Sequence, residues 1–331
     1  MDPLDVLCVG DAAADVFIRL SDRHVRTWDD DDGHWIDLPY GGKVPFAYSV
    51  TVEAGGNAAN AAVGLARLGL TTALAAHVGA DQVGRTMLEA LDRAGVITHL
   101  VHMDPGTPSN RNFVLWCGQD RTILVRHEIY DYHWAHLRPQ EVPRWLYLSS
   151  VGSDAVEYYR QIVDWLETEP TVRFAFQPGT FQIAQSASLH DVYRRVDVLV
   201  CNREEAVEIG GGDHGDVAGL LENLHRLGPR IVVVTDGPDG AYASDGADRY
   251  RVPQYPDPRP PTDRTGAGDS FAATLVAALA KGHPLGEALT WAPINAMHVV
   301  QDVGSQNGLL DRDTLLRDLK DAPKGYGITT W

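Results

Sequence analysis

Cysteine is scarce in this chain: Cys8, Cys117 and Cys201 lie far apart and are odd in number. Such a set builds no disulfide framework, which excludes the small cross-linked secreted folds. Long apolar runs are missing as well. No stretch approaches the ~20 residues that a membrane helix needs, so no membrane partner is expected. Positive charge is in deficit, with 28 Lys and Arg against 45 Asp and Glu and a net charge of −17. A general nucleic-acid binder needs a cationic surface to displace counterions, so no nucleic-acid partner is expected either. A pocket on an acidic protein can still be locally positive, which leaves anionic substrates open. The opening MDPLDVLCVGD lacks a basic segment followed by an apolar signal core. The expectation is an unlipidated cytoplasmic protein.

What is present is 331 residues of ordinary globular composition, 44% hydrophobic and 22% charged. That is enough for one large α/β domain, with or without a smaller one. A buried strand runs from Leu4 to Val9 and ends at Gly10-Asp11; apolar β-rich runs recur at 71–78, 97–102, 145–150, 172–177, 196–201 and 230–235. Helical patterns fall at 57–68, 81–94, 154–168, 216–227, 270–281, 285–298 and 311–321. Asp81 can cap its helix at the front and Gly95 can end it. This alternation predicts an α/β domain whose mostly parallel sheet is covered on both faces, with ligands at the carboxyl ends of the strands.

Two stretches break the pattern. Residues 15–50 and 107–130 carry strand-like runs (Val16 to Leu20, Val44 to Val50, Arg111 to Trp116, Thr122 to His127) with no helix between them. Gly118-Gln119-Asp120 reads as a hairpin turn. We read these stretches as a small β-sheet, a lid or an edge extension, projecting from a main domain of 1–14, 51–106 and 131–331. Asp29 to Asp32 reads as a solvated loop tip. Alternation places Arg111, Phe113 and Leu115 on one strand face and Asn112, Val114 and Trp116 on the other. Arg126 in the paired strand is a candidate for an anionic substrate group, or a solvated arginine.

The segment Thr262-Asp263-Arg264-Thr265-Gly266-Ala267-Gly268-Asp269 runs into an Ala/Leu helix. A Gly-Ala-Gly turn opening a helix leaves backbone N–H groups aimed at one spot, at the positive end of the helix dipole. That arrangement binds phosphate and stabilises charge developing on it. Asp269 stands beside this anion hole as a catalytic base or a helix cap, and the glycines before it favour the base. A second segment, Gly55-Gly56-Asn57-Ala58-Ala59-Asn60, opens a helix of small residues. Asn57 reads as an N-cap, and Asn60 lies on the same face, where amides can bind sugar hydroxyls.

Together these motifs resemble the ribokinase-like (PfkB) carbohydrate kinase family. GGNAANAAVGLARLG is similar to its amino-terminal signature and DRTGAGDSFAATLVAAL to its carboxyl-terminal one. The resemblance implies a three-layer αβα domain with a central sheet, a β-sheet lid over the sugar, and ATP-dependent phosphorylation of a sugar-type hydroxyl with Mg2+. It implies Asp269 as general base, with Gly266, Ala267 and Gly268 as the anion hole. Asp15, with Asp11 as a second candidate, and Gly56 and Asn60 would hold the sugar. Asn202 and Glu205 would organise magnesium through water, although on residue chemistry alone they form a capping box, and both roles can coexist. Thr235, Gly237 and Gly240 would form the nucleotide loop. Asp263 and Thr265, with carbonyls near Val299 and Gly304, resemble the loop where some members bind a monovalent cation such as K+. Some members also form homodimers through the lid.

The chain departs from the family at Arg264, where a small residue is usual, at Ser149 and Ser150, where ribokinase proper has a Glu, and at Gln177-Pro178-Gly179. Ser149, Ser150 and Gln177 to Gly179 fall on substrate-selecting positions, whereas Arg264 is either solvated or adds positive charge near the nucleotide phosphates. A nucleoside kinase on the same scaffold is the alternative acceptor reading, and a sugar-binding regulatory protein without turnover is a further one, which an intact Asp269 opposes. Gly210 to Gly215 fits the dinucleotide glycine pattern but follows a helix rather than a strand, so an NAD-dependent oxidoreductase is not supported. His127, His133 and His136 lack a fourth zinc ligand in sequence.

Overall fold

The computed structural model describes residues 3–331 except Asp22, Asp31, Asp32, Gly118 and Gln119. Its centre is a nine-stranded sheet in the order Thr329–Thr330, Arg249–Val252, Ala241–Ser244, Ile231–Thr235, Val198–Asn202, Arg173–Phe176, Trp145–Leu148, Val6–Val9, Thr72–Ala75. The strands from Ile231–Thr235 to Thr72–Ala75 are parallel to their neighbours. The remaining edge is antiparallel.

Because successive side chains of a strand point to opposite faces, each core strand feeds two cores. Val6, Cys8, Tyr147, Ala175 and Val200 pack into the core under the helices Asn57–Arg67, Ala267–Ala280 and Leu285–Val299. Leu7, Val9, Leu146, Phe174, Phe176 and Cys201 face the other way, toward Val156–Thr168 and Val217–Leu227. The run at 97–102 is not a core strand. Val101 N–H turns back to the Thr98 carbonyl at 2.9 Å, so only Ile97 bridges to Ala73, and His102–Asp104 pairs separately with His77–Gly79.

A second sheet of four strands has the order Asp120–Arg126, Arg111–Cys117, Ala13–Leu20, Phe46–Gly55. Its ladder continues to the pair Ala13 and Gly55, so it crosses the borders expected at 14/15 and 50/51. The turn expected at 118–120 falls on Gly118 and Gln119, outside the described residues; the flanking pair Cys117 and Asp120 is antiparallel. Phe17, Val52 and Val114 are buried beneath this sheet, with Val303 packed against them, while Phe113 on the opposite face is exposed. A separate hairpin, Arg26–Asp30 with Gly33–Asp37, was not foreseen. In it Asp30 accepts from Gly33 N–H at 3.0 Å and Trp35 Nε1 at 2.7 Å; Asp31 and Asp32 lie outside the described residues. Among the described residues no helix is long and apolar enough to cross a membrane, and no His, Cys, Asp and Glu group is arranged to hold a metal ion.

Candidate active site

Strand Val6–Val9 lies between Thr72–Ala75 and Trp145–Leu148, both of which follow it in sequence. The strand order reverses there, and a crevice opens at the carboxyl ends. Gln177 enters it directly after Arg173–Phe176, and Asn202 ends its own strand. Asp269, in the first turn of Ala267–Ala280, is buried. It does not cap its helix; its two oxygens collect three amides. Oδ1 accepts from Asn57 Nδ2 at 2.8 Å and Gln177 Nε2 at 3.1 Å, and Oδ2 from Asn60 Nδ2 at 2.8 Å. Burial pushes this carboxyl above the usual range, and the three amides oppose the shift. The N-cap of the first helix is Gly56, so Asn57 is free to reach Asp269.

These amides are themselves held. Asn60 Oδ1 accepts from Ser305 Oγ at 2.8 Å and Gln306 Nε2 at 3.0 Å. Gln177 Oε1 accepts from the buried Tyr147 hydroxyl. Ser305, Gln306 and Tyr147 carried no sequence signal; Gln177 stood out only as a departure from the family pattern.

Of the three residues expected to form an anion hole, Ala267 has its N–H engaged. Ala267 N–H leans back to the Arg264 carbonyl at 3.4 Å, and Ser270 N–H bonds the Gly266 carbonyl at 2.9 Å. Between them, the N–H groups of Gly268 and Asp269 meet no protein acceptor among the described residues. Gly266 shapes the turn. It is left-handed with φ 81, and a Cβ on it would stand 2.6 Å from Ser305 Cβ.

Asp15 and Asp11 line the crevice from its other side. Asp15 is buried in the second sheet and accepts from Asn112 Nδ2 at 2.9 Å. Burial, reinforced by the charges of Asp269 and Asp263, pushes its carboxyl up to about 6. Gly55 makes room for it, since a Cβ there would stand 2.3 Å from Asp15 Oδ2. Asp11 accepts from the Tyr132 hydroxyl at 2.9 Å, and burial pushes its carboxyl up to about 7. Gly56 lies against this segment, with a hypothetical Cβ 2.9 Å from the Asp11 carbonyl oxygen. Arg126 is exposed and paired with Glu128 at 2.6 Å, so the solvated reading of that arginine holds.

Both carboxyls have folded-state pKa values above their unfolded ones. Protonation therefore stabilises the fold at low pH, and that stability is lost as pH rises from about 4 through about 7. Thermal melts of the ligand-free protein should show a falling Tm between pH 5 and pH 8, and the double variant Asp11→Asn with Asp15→Asn should flatten that slope. Parallel profiles for the two proteins would remove these carboxyls as its source.

On the far side of Asp269 a pocket of about 320 Å³ is lined by Thr235, Gly237, Gly240, Gly268, Phe271 and Met297, with exposed Arg264 on its wall. Asn202 and Glu205 form the capping box, Asn202 Oδ1 accepting from Glu205 N–H at 2.8 Å and Glu205 Oε2 from Asn202 N–H at 2.8 Å. Glu205 is raised by burial, and its remaining oxygen suits a water-mediated divalent ion. The cation loop fits less well. Asp263 Oδ1 accepts from Thr265 N–H at 3.0 Å and Thr265 Oγ1 at 2.7 Å, and Oδ2 accepts from Gly304 N–H at 3.0 Å. Arg121 Nε stands 3.8 Å from the same carboxylate, and the Val299 carbonyl accepts Asp302 N–H at 3.3 Å. Asp263, Thr265 and Gly304 are thus together, with three hydrogen bonds on the carboxylate and a guanidinium beside it.

Comparisons with known proteins agree with this architecture. The family model described as pfkB family carbohydrate kinase matches residues 6–312. A fructokinase from Klebsiella pneumoniae is 29% identical over 249 residues, 68% of this chain and 76% of its own length. A nucleoside kinase from Methanothermobacter thermautotrophicus is 27% identical over 275 residues, 78% of this chain and 81% of its own. The structure of Arabidopsis thaliana ribokinase complexed with ribose and ATP superposes with a TM-score of 0.79 over 97% of this chain and 99% of that one, at 21% identity. With a kinase-type crevice already built from its own residues, the chain belongs to the pfkB family of carbohydrate kinases, phosphotransferases on a ribokinase-like fold.

Proposed function

We infer that this chain transfers the terminal phosphoryl group of ATP to a hydroxyl of a sugar or sugar derivative. The observation that carries this reading is the position of Asp269, between a glycine-lined pocket and a crevice lined by Asp11 and Asp15. A hydroxyl held by Asp15 and Asn60 gives its proton to Asp269 as its oxygen bonds the phosphorus and the bond to ADP breaks. The free N–H groups of Gly268 and Asp269 receive the oxygens of the transferring group. ATP enters as a substrate through the pocket of Thr235, Gly237 and Gly240. Magnesium would come with its phosphates and neutralise their charge, with Glu205 holding it through water and Asn202 fixing Glu205. No step passes through a potassium ion.

The test is ADP release with magnesium and ATP across free hexoses, pentoses, keto-sugar acids, sugar phosphates and nucleosides. Turnover of a nucleoside in preference to every sugar would transfer the assignment to the nucleoside branch. Absence of turnover throughout, with binding retained, would favour a non-catalytic regulator.

The second sheet acts as the lid in this reading, since phosphoryl transfer competes with hydrolysis and the site must exclude water. Amide hydrogen exchange should slow within 15–50 and 107–130 when the acceptor binds, and much less with ATP alone. Equal protection by ATP alone would remove the acceptor-responsive lid. Exposed Leu124 and Val125 on this sheet suit a homodimer through the lid, which light scattering in solution decides. A cytoplasmic location goes with free ATP as the phosphoryl donor.

A further inference from the structure

The phosphoryl-transfer steps leave one charged side chain of the nucleotide pocket unused. Arg264 is exposed and lines that pocket together with Gly268, Thr235 and Gly237. Its backbone is fixed on both sides. Asp263 before it is buried, with its carboxylate bonded to Thr265 and to Gly304 N–H. The Arg264 carbonyl accepts from Ala267 N–H at 3.4 Å, just ahead of the free N–H groups of Gly268 and Asp269. The guanidinium itself has no hydrogen bond, ion pair or ring contact among the described residues.

The charges around it are committed elsewhere. Arg203 pairs with Asp236, directly after strand Ile231–Thr235, and donates to the His214 carbonyl at 2.7 Å. Asp257, which also lines the pocket, accepts from Gln254 Nε2 at 2.7 Å and from Gln301 Nε2 at 3.3 Å. Arg259 donates to Gln301 Oε1 at 3.0 Å. Arg264 thus has no carboxylate of its own, in a chain where Asp and Glu outnumber Lys and Arg by 45 to 28. Kept clear of carboxylates and close to two unbonded N–H groups at a helix start, it offers positive charge to an anion from outside the chain. A guanidinium is planar, and its paired N–H groups match two phosphoryl oxygens at once.

We propose that Arg264 is a further catalytic residue, whose guanidinium bonds the β- and γ-phosphoryl oxygens of the donor nucleotide. As the acceptor oxygen bonds the γ-phosphorus and its proton goes to Asp269, the bridging oxygen leaves with ADP and takes the electron pair. Arg264 meets the negative charge that builds on that leaving side. The position is one of this chain's departures from the family pattern, so the contact is not inherited from that pattern. The role in transfer rests on the kinase reading, whereas the phosphate contact is a matter of binding.

Calorimetry without acceptor reads the contact, with MgATP, MgADP and adenosine as probes. Arg264→Gln, a polar and uncharged replacement at an exposed position, should weaken MgATP and MgADP about 10-fold or more, the range of a charged hydrogen bond. Adenosine carries no phosphate and should bind wild type and variant alike. With a verified acceptor, kcat should also fall at least ~10-fold, because the contact strengthens as charge moves to the leaving side. Arg264→Lys keeps the charge but not the planar fork, and should recover part of both losses. Lys324→Gln removes the same charge from an exposed position outside the pocket and should change neither. Unchanged MgATP affinity in Arg264→Gln, an equal loss for adenosine, or the same loss in Lys324→Gln would overturn the contact. Weaker MgATP binding with parental kcat would overturn the role in transfer. The full binding pattern with no ADP release from any acceptor would retain the phosphate contact and overturn the kinase reading instead.

Discussion

Asp269→Asn should lower kcat by at least ~100-fold while leaving acceptor affinity nearly intact, the pattern expected when a general base is removed. The structure sharpens this expectation. Three amide donors, from Asn57, Asn60 and Gln177, converge on the two carboxylate oxygens. An amide in place of the carboxylate accepts through one oxygen only and turns its own NH2 toward a neighbouring donor. With its oxygen kept on Asn60, which Ser305 and Gln306 fix, the variant loses the proton acceptor and also sets its NH2 against Asn57 and Gln177. Asn57→Ala separates the two effects. It keeps the base but removes one donor that holds the buried carboxyl ionised, so the acid limb of its kcat profile should move to higher pH. Near-parental turnover by Asp269→Asn on a verified substrate would take Asp269 out of the chemistry.

The second large effect concerns the acceptor. Asp15→Ala should weaken acceptor binding by about 1.5–3 kcal/mol, the range for a charged hydrogen bond, and leave ATP binding unchanged. Gly55→Ala should reproduce much of this loss without touching the carboxylate's chemistry. Its new Cβ would stand 2.3 Å from Asp15 Oδ2, so the carboxylate must swing away from its position beside Asn112. Calorimetry with the acceptor and, separately, with ATP reads both variants. Unchanged acceptor affinity in either folded protein would sink the assignment of Asp15 as the grip.

The parallel part of the fold was legible because strand and helix announce themselves by period. Val6 to Val9 is apolar at every position since both faces are covered, whereas Arg111 to Trp116 alternates since only one face is buried. The antiparallel edge was less visible. Thr329–Thr330 is a two-residue strand, and the polar Arg249–Val252 offers little apolar contrast. In the site, local motifs marked Asp269, Asn60 and Asp15. Partners that arrive from distant strands were not marked. Nothing near Gln177 in sequence announces a contact with a residue 92 positions away, and Tyr132 is 121 positions from Asp11. Such pairings are set by which strand ends share the crevice, and the sheet order alone supplies that.

Strand Val6–Val9 of the large sheet and strand Ala13–Leu20 of the second sheet are joined by only Gly10, Asp11 and Ala12. Asp11 is in that joint and Asp15 lies just past it, so the chain has no slack in which the two sheets could tilt independently of these carboxylates. In the proposed reading, acceptor grip and closure are therefore mechanically one event. Exchange of this second sheet between family members would carry Asp15 along with it, and acceptor preference should be inherited from the donor of the sheet rather than from the recipient scaffold.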